Sequence, residues 1–259
     1  MKNNGVYLSV IVPAYNEEKN FRAGKLDGMF DYLNQQDYSF ELILVDDGST
    51  DNTVGLLREF AKGKTGVRVL ESEHRGKAPT VAFGMVEAVG KNRLFTDFDQ
   101  ATPIEEVEKL FPFRKKGFEV IIGSREVAGA KREKEPFYRH LMGRGFNMVV
   151  KLLAIRGIQD TQCGFKMFSG KAALDLFPRL PLFKNKKTRR DAFTGAFDVE
   201  LLFLARKNGY KIAEVPVDWK HVKTERVSPV KDSIRMFIEV LLIRLNYLLG
   251  RYRLTNNSE

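Results

Sequence analysis

The chain contains one cysteine, Cys163, among 259 residues. That excludes an intramolecular disulfide framework and suits a reducing compartment. Long apolar runs are also missing. No charge-free apolar stretch reaches the roughly 18 residues of a membrane-crossing helix. The nearest, Ile234 to Leu249, is interrupted by Arg235, Glu239 and Arg244. Met1 to Gly5 is short and polar, so no signal-peptide core is expected before Val6. Internal repeats, low-complexity tracts and an evident interdomain linker are absent, and His74, His140 and His221 lack metal-ligand spacing.

The composition is that of a folded chain. Hydrophobic residues make up 43% and aromatics 11%, enough for a sizeable core and too much for wholesale disorder. The net charge of +10 is unevenly spread. Residues 1–124 hold 16 Lys+Arg against 19 Asp+Glu, and residues 125–259 hold 27 against 14. A basic half points to a polyanionic partner: nucleic acid, anionic lipid or a phosphorylated substrate. The nucleic-acid reading fails on pattern, because no recognised nucleic-acid motif occurs in the basic half and no nucleic-acid partner is expected.

The first half alternates strand and helix signals. Strands are predicted at Tyr7–Val12 (stopped by Pro13), Phe40–Val45, Val67–Leu70, Arg93–Thr96 and Glu119–Ile122. Helices are predicted at Glu17–Leu33, Thr53–Lys62, Ala78–Val89 and Ile104–Lys115, the last opened by Pro103. Such alternation implies an α/β fold with a mostly parallel sheet and helices on both faces. Ligands of such sheets bind beyond the carboxyl ends of strands. In the second half, Phe137–Ile155 and Ser233–Leu249 are predicted helices, Asp198–Lys207 a buried helix, and Phe165–Phe168 and Ile212–Val217 strands. Lys184–Arg190 is a basic loop.

Polar clusters sit where the predicted strands end. Asp97-Phe98-Asp99 places two carboxylates on one face of a strand end, a suitable site for a hard divalent cation that can hold phosphate oxygens. A solvated turn is the plainer reading of such a pair, but its place after the fourth strand favours the site. Asp46-Asp47-Gly48-Ser49 follows the second strand. A helix cap accounts for Ser49, Thr50 or Asp51, and the Asp46 and Asp47 carboxylates remain as acceptors for a base N–H or ribose hydroxyls. Val12-Pro13-Ala14-Tyr15-Asn16-Glu17-Glu18 adds an aromatic plane and further acceptors at the first strand's exit.

In order and spacing these segments, with Gly76-Lys77, resemble the family 2 glycosyltransferases of GT-A (Rossmann-like) fold. The resemblance implies that Pro13, Ala14, Tyr15, Glu17, Asp46, Asp47, Lys77, Asp97 and Phe98 form the nucleotide-sugar site. It implies that Asp99 and Asp97 hold the diphosphate through Mg²⁺ or Mn²⁺. Gly123-Ser124-Arg125, Pro136-Phe137-Tyr138-Arg139 and Asp160-Thr161-Gln162-Cys163-Gly164-Phe165-Lys166 resemble the polyprenyl-phosphate glycosyltransferases. With Ala196-Phe197-Asp198-Val199-Glu200-Leu201-Leu202, the likeness is to the dolichyl-phosphate β-glucosyltransferases, over about residues 6–250.

By that likeness Arg125 and Arg139 bind the acceptor phosphate, assisted by Lys166. An arginine fork matches phosphate geometry. Asp160 is expected to position rather than to act as base, because a phosphate monoester is already anionic at neutral pH, with a second pKa of about 6. Cys163 is expected to be a packed small residue. Two departures stand out. Ala78 occupies a position where related enzymes carry glycine. Ala101 occupies a position where mannosyl-transferring relatives carry a metal-binding glutamine, which favours the glucosyl branch.

Phe137–Ile155 and Ser233–Leu249 combine apolar positions with interleaved arginines, so each is either a core helix or one lying in a membrane interface. The expectation is a GT-A catalytic domain over 1–230 and an amphipathic membrane-associating segment over 231–259. The enzyme would be an inverting hexosyltransferase, peripheral on the cytoplasmic face of a membrane. Its partners would be a nucleotide sugar (UDP-glucose, or alternatively GDP-mannose or another donor), a polyprenyl phosphate lipid and the membrane surface.

Overall fold

The computed structural model describes residues 5–132, 155, 157–180, 195–221 and 229–252. The expected helix at Phe137–Ile155, the basic loop Lys184–Arg190 and Arg139 lie outside them, apart from Ile155. Nine strands are described: β1 (Leu8–Ala14), β2 (Phe40–Asp46), β3 (Val67–Glu71), β4 (Asn92–Phe95), β5 (Val120–Ser124), β6 (Lys131–Arg132), β7 (Lys166–Ser169), β8 (Ile212–Pro216) and β9 (Asp218–Trp219). The helices are α1 (Glu18–Arg22), α2 (Lys25–Asn34), α3 (Thr53–Ala61), α4 (Lys77–Glu87), α5 (Phe111–Lys115), α6 (Gly170–Leu176), α7 (Phe197–Lys207) and α8 (Pro229–Leu248).

Seven strands form one sheet in the order β3-β2-β1-β4-β7-β5-β8, and β6 pairs with β9 separately. Every pairing in the large sheet is parallel except those of β7 with β4 and β5. The carboxyl ends of β1, β2, β4 and β5 therefore share one edge. Because β7 runs the other way, its first residue, Lys166, and the segment leading into it reach that same edge. Topology thus gathers every predicted cluster of the described residues onto one side of the molecule.

Side chains alternate between two cores. Ile11, Ile43, Val45, Phe95, Val120, Ile122 and Phe168 face one, packed under α4, α6, α7 and α8. Leu8, Val10, Val12, Leu42, Leu44, Leu94, Ile121 and Met167 face the other, under α2, α3 and α5. Each fully buried aliphatic or aromatic residue contributes about 1.5–3 kcal/mol. Close approach of α4 to the sheet depends on Gly84, where an added Cβ would lie 2.6 Å from Ile11 Cγ2 and 2.8 Å from Val45 Cγ2. Between Phe197 and Ala205, α7 is buried on all sides.

Several boundaries differ from the sequence reading, for definite reasons. The helix expected over Glu17–Leu33 is two helices, parted at Gly24, whose φ of 70° ends one and starts the next. Pro13 does not stop β1 but lies inside it. Its ring nitrogen faces the β4 side, where pairing has already ended at Ile11–Phe95, so no ladder bond is lost. The helix predicted at Ile104–Lys115 begins as a 3₁₀ segment, Ile104–Lys109, before α5. The β6–β9 pair had no sequence signal, being only two residues on each strand.

No helix among the described residues is long and apolar enough to cross a membrane. Val240 and Ile243 of α8, and Tyr252 beyond it, join the core under α7. Its opposite side exposes Ile234, Phe237, Ile238, Leu241, Leu245 and Leu248.

Candidate active site

Turns position the acidic pair, rather than strand pleating. β4 ends at Phe95, so Asp97 and Asp99 lie in the turn beyond it and not on one strand face as predicted. Gln100, at φ 54°, closes that turn, and its backbone N and side-chain Nε2 both donate to Asp97 O. Asp99 Oδ1 accepts from Ala101 N at 3.0 Å. Phe98 is buried between the two acids and anchors the turn in the core. Lys77, the first residue of α4, donates from Nζ to Asp97 Oδ1.

Burial and the neighbouring Asp97 charge push the Asp99 carboxyl above the usual carboxylate range. Burial works against the Lys77 charge, but Asp97 and then Asp198 raise it overall. Two carboxylates are thus crowded together beside the Lys77 ammonium, with Asp198 as a third acid acting on it. Among the described residues no group of three or more His, Cys, Asp or Glu gathers as a complete metal cage. Asp97 and Asp99 fit a small hard cation of the Mg²⁺ or Mn²⁺ kind, which binds through one or two carboxylates and completes its shell with phosphate oxygens and water.

The paired aspartates after β2 do different work from the expected ligand contacts. Asp46 closes its own turn, accepting from Ser49 N at 2.9 Å and Ser49 Oγ at 2.5 Å. Asp47 holds the next loop: its Oδ1 accepts from Arg75 N at 2.8 Å and its Oδ2 from Gly76 N at 2.9 Å. His74 Nδ1 lies 2.8 Å from the same Oδ2. Both carboxylates are buried. Gly48, which follows Asp47, has a φ of 67°, and an added Cβ there would lie 2.8 Å from His74 N.

This loop carries the imidazole onto the Tyr15 ring, centroids 4.0 Å apart and planes 11° from parallel. The stack is a flat aromatic plane at the exit of β1, next to buried Ala14 and half-buried Pro13. Glu17 N donates to Thr53 Oγ1, and Glu17 Oε2 accepts from Asn20 Nδ2. Asp51, not a residue of the cap position itself, accepts from Thr53 N at the start of α3.

At the end of β5, Arg125 meets Asp160 through a two-pronged pair, Nε–Oδ2 at 2.7 Å and Nη2–Oδ1 at 2.9 Å. Arg125 N adds a third bond to Asp160 Oδ2. Burial works to raise the Asp160 carboxyl, but the Arg125 charge and hydrogen bonds hold it at about 2. The Trp219 ring lies under the guanidinium, 5.5 Å from its central carbon. Glu214 accepts from Gln159 N and Asp160 N, tying this segment to β8. Asp160 is therefore a permanent anion that orients Arg125.

Lys166 differs from its expected role. It is fully buried, and its Nζ donates to Cys163 O and to Asp198 Oδ1, the latter at 2.5 Å. Burial and that pairing remove the ammonium from direct contact with an acceptor phosphate. Cys163 is buried, and burial first, then the Asp160 charge, pushes its thiol up to about 11, which fits a packed residue. Sequence reasoning singled out neither His74 nor Asp198 as site residues. The available signal for Asp198 was an acid, like Glu200, inside a largely apolar helix, where a partner has to be buried with it.

Residues 9–177 match the profile described as Glycosyl transferase family 2. The chain is 34% identical over 265 residues to a dolichyl-phosphate beta-glucosyltransferase of Dictyostelium discoideum, covering 97% of this chain and 78% of that protein. It is 36% identical over 266 residues to the enzyme of the same name from Drosophila melanogaster, covering 96% and 78%. Its fold is similar to glucosyl-3-phosphoglycerate synthase from Mycobacterium tuberculosis in complex with Mn²⁺, UDP and glucosyl-3-phosphoglycerate. The TM-score is 0.62 at 19% identity, over 98% of this chain and 82% of that one. With its mostly parallel sheet, its edge of strand-end acids and this match across most of its length, the chain belongs to glycosyl transferase family 2 and is a GT-A-fold glycosyltransferase.

Proposed function

We propose that this glycosyltransferase moves glucose from UDP-glucose to a polyprenyl phosphate, with inversion at the anomeric carbon. One observation carries the reading: the Asp97–Asp99 pair and the Arg125–Asp160 pair stand on one sheet edge and are joined by the short segment 160–164. A diphosphate-binding side and a phosphate-binding side are thus neighbours. The names of the relatives supply the glucosyl group and the acceptor class, and UDP is the nucleotide in a solved structure of similar fold.

Asp99 and Asp97 would hold a divalent cation, which when bound would supply positive charge beside the diphosphate leaving group. Lys77 restrains Asp97. The Tyr15–His74 plane supports the base, with Pro13, Ala14 and Glu17 along the rim and Asp46 and Asp47 fixing the loops beneath. Arg125, oriented by Asp160, directs the acceptor phosphate oxygen at the sugar carbon opposite the leaving group. Attack from that side gives a β-linked product. The phosphate is anionic already, so positioning replaces a general base. The exposed apolar side of α8, with Arg235 and Arg244, lies on the cytoplasmic membrane surface where the acceptor resides.

Purified protein, polyprenyl phosphate and Mg²⁺ or Mn²⁺ are incubated with a panel of nucleotide sugars, and organic-extractable sugar is counted. UDP-glucose is the expected donor. Preferred transfer from GDP-mannose would change the donor assignment, and no transfer from any donor would overturn the reading.

A further inference from the structure

Lys166 and Asp198 are charged groups placed where water does not reach. The Lys166 side chain is 0% exposed and that of Asp198 8%, and Nζ also lies 5.4 Å from the Phe95 ring centroid. Burying such a pair earns little stability compared with apolar residues of the same volume. What the pair does hold is geometry. Lys166 opens β7 and is in register with Phe95 of β4 and Ile122 of β5, so it sits at the root of the site. Its ammonium binds Cys163 O, which fixes the peptide plane leading into Gly164.

Gly164 in turn packs directly on the Asp97 carboxylate. A Cβ there would lie 2.6 Å from Asp97 Cγ and closer still to Oδ2. Asp97 is therefore bounded on one side by Lys77 Nζ and on the other by bare backbone. Asp198 is the common member of the group: it bonds Lys166 and interacts electrostatically with both Lys77 and Asp97.

We propose that the buried Lys166–Asp198 pair is the positioning device of the donor-diphosphate site, holding the Cys163–Gly164 segment against the Asp97 carboxylate. This rests on the donor site described above and deepens it. Lys166 touches neither substrate. It sets the orientation of the Asp97 carboxylate.

The double variant Lys166→Met/Asp198→Asn removes both charges together, so no lone ion is left buried. UDP affinity is measured by calorimetry with and without Mn²⁺, beside KM for polyprenyl phosphate and the melting temperature. The expected result is a fold that melts near the parent, UDP affinity in Mn²⁺ lower by about 10- to 100-fold, and an unchanged acceptor KM. A raised acceptor KM with parental UDP affinity would make Lys166 an acceptor ligand and overturn the proposal. If the double variant does not fold, Gly164→Ala leaves the pair intact and carries the test. Weakened UDP binding with unchanged acceptor KM is expected there, and parental UDP affinity overturns the proposal. Wild-type protein that binds no UDP would remove the donor site and this device together; wild-type binding with unaffected variants removes the device alone.

Discussion

The aspartates after β2 and those after β4 look alike in sequence and are used in opposite ways. Asp46 is satisfied by the N–H and O–H of Ser49 in its own turn, and Asp47 by backbone N–H groups of the 74–76 loop. Asp97 and Asp99 accept few backbone bonds and crowd one another beside Lys77. The first pair builds shape and the second stores negative charge. A carboxylate becomes a cation site when the protein declines to satisfy it internally, and a scaffold when the protein does. Asp160 is a third case, neutralised by the arginine that it orients.

The largest effect is expected where charge is stored. Asp99→Asn should lower transfer by about 10²- to 10³-fold, the scale of losing one preorganised charge contact in a transition state, with an unchanged melting temperature. Asp46→Asn should instead cost stability and little turnover, read by thermal melting beside the transfer assay. Equal losses of activity in the two variants would erase the distinction between shape and charge.

Next comes the pair after β5. Asp160 is held at about 2, below the ordinary aspartate value of 3.8. Its folded pKa is depressed, so its stabilisation is complete above about pH 4 and is lost as pH falls through 2. The shift corresponds to about 2 kcal/mol. Urea unfolding at pH 5 and pH 2.5 should show wild type losing stability on acidification more steeply than Asp160→Asn. The same variant should raise the acceptor KM while sparing UDP affinity, because only Arg125 loses its orientation.

Smaller effects belong to the loops. Gly48→Ala forces a left-handed residue that costs about 1–2 kcal/mol and crowds His74, so both stability and UDP affinity should fall in calorimetry. His74→Ala removes the stacked plane, worth about 0.5–1.5 kcal/mol. UDP affinity should fall by that amount, with acceptor KM unmoved.

The order of β and α elements in the first half was legible because strand runs end at Asp, Gly and Pro clusters whose local chemistry is unambiguous. The edge that gathers them followed from parallel pairing. Side-chain direction was not legible. Nothing in Asp46-Asp47 says that the 74–76 loop returns to satisfy Asp47, since that bond spans 27 to 29 residues. Likewise Lys166 reads as a phosphate-binding cation until the sheet order places it between β4 and β5 and sets Asp198 against it. The turn at Asp97–Asp99 was read as pleating because the positive φ of Gln100 has no sequence signature.

The central claim is tested most directly by counting glucose carried into the organic phase from UDP-glucose in the presence of polyprenyl phosphate and Mn²⁺, for wild type and Asp99→Asn side by side. The account predicts lipid-linked glucose with wild type, its dependence on added divalent cation, and its loss in the variant. Transfer by Asp99→Asn at the wild-type rate, or none by folded wild type with any nucleotide sugar, would contradict it.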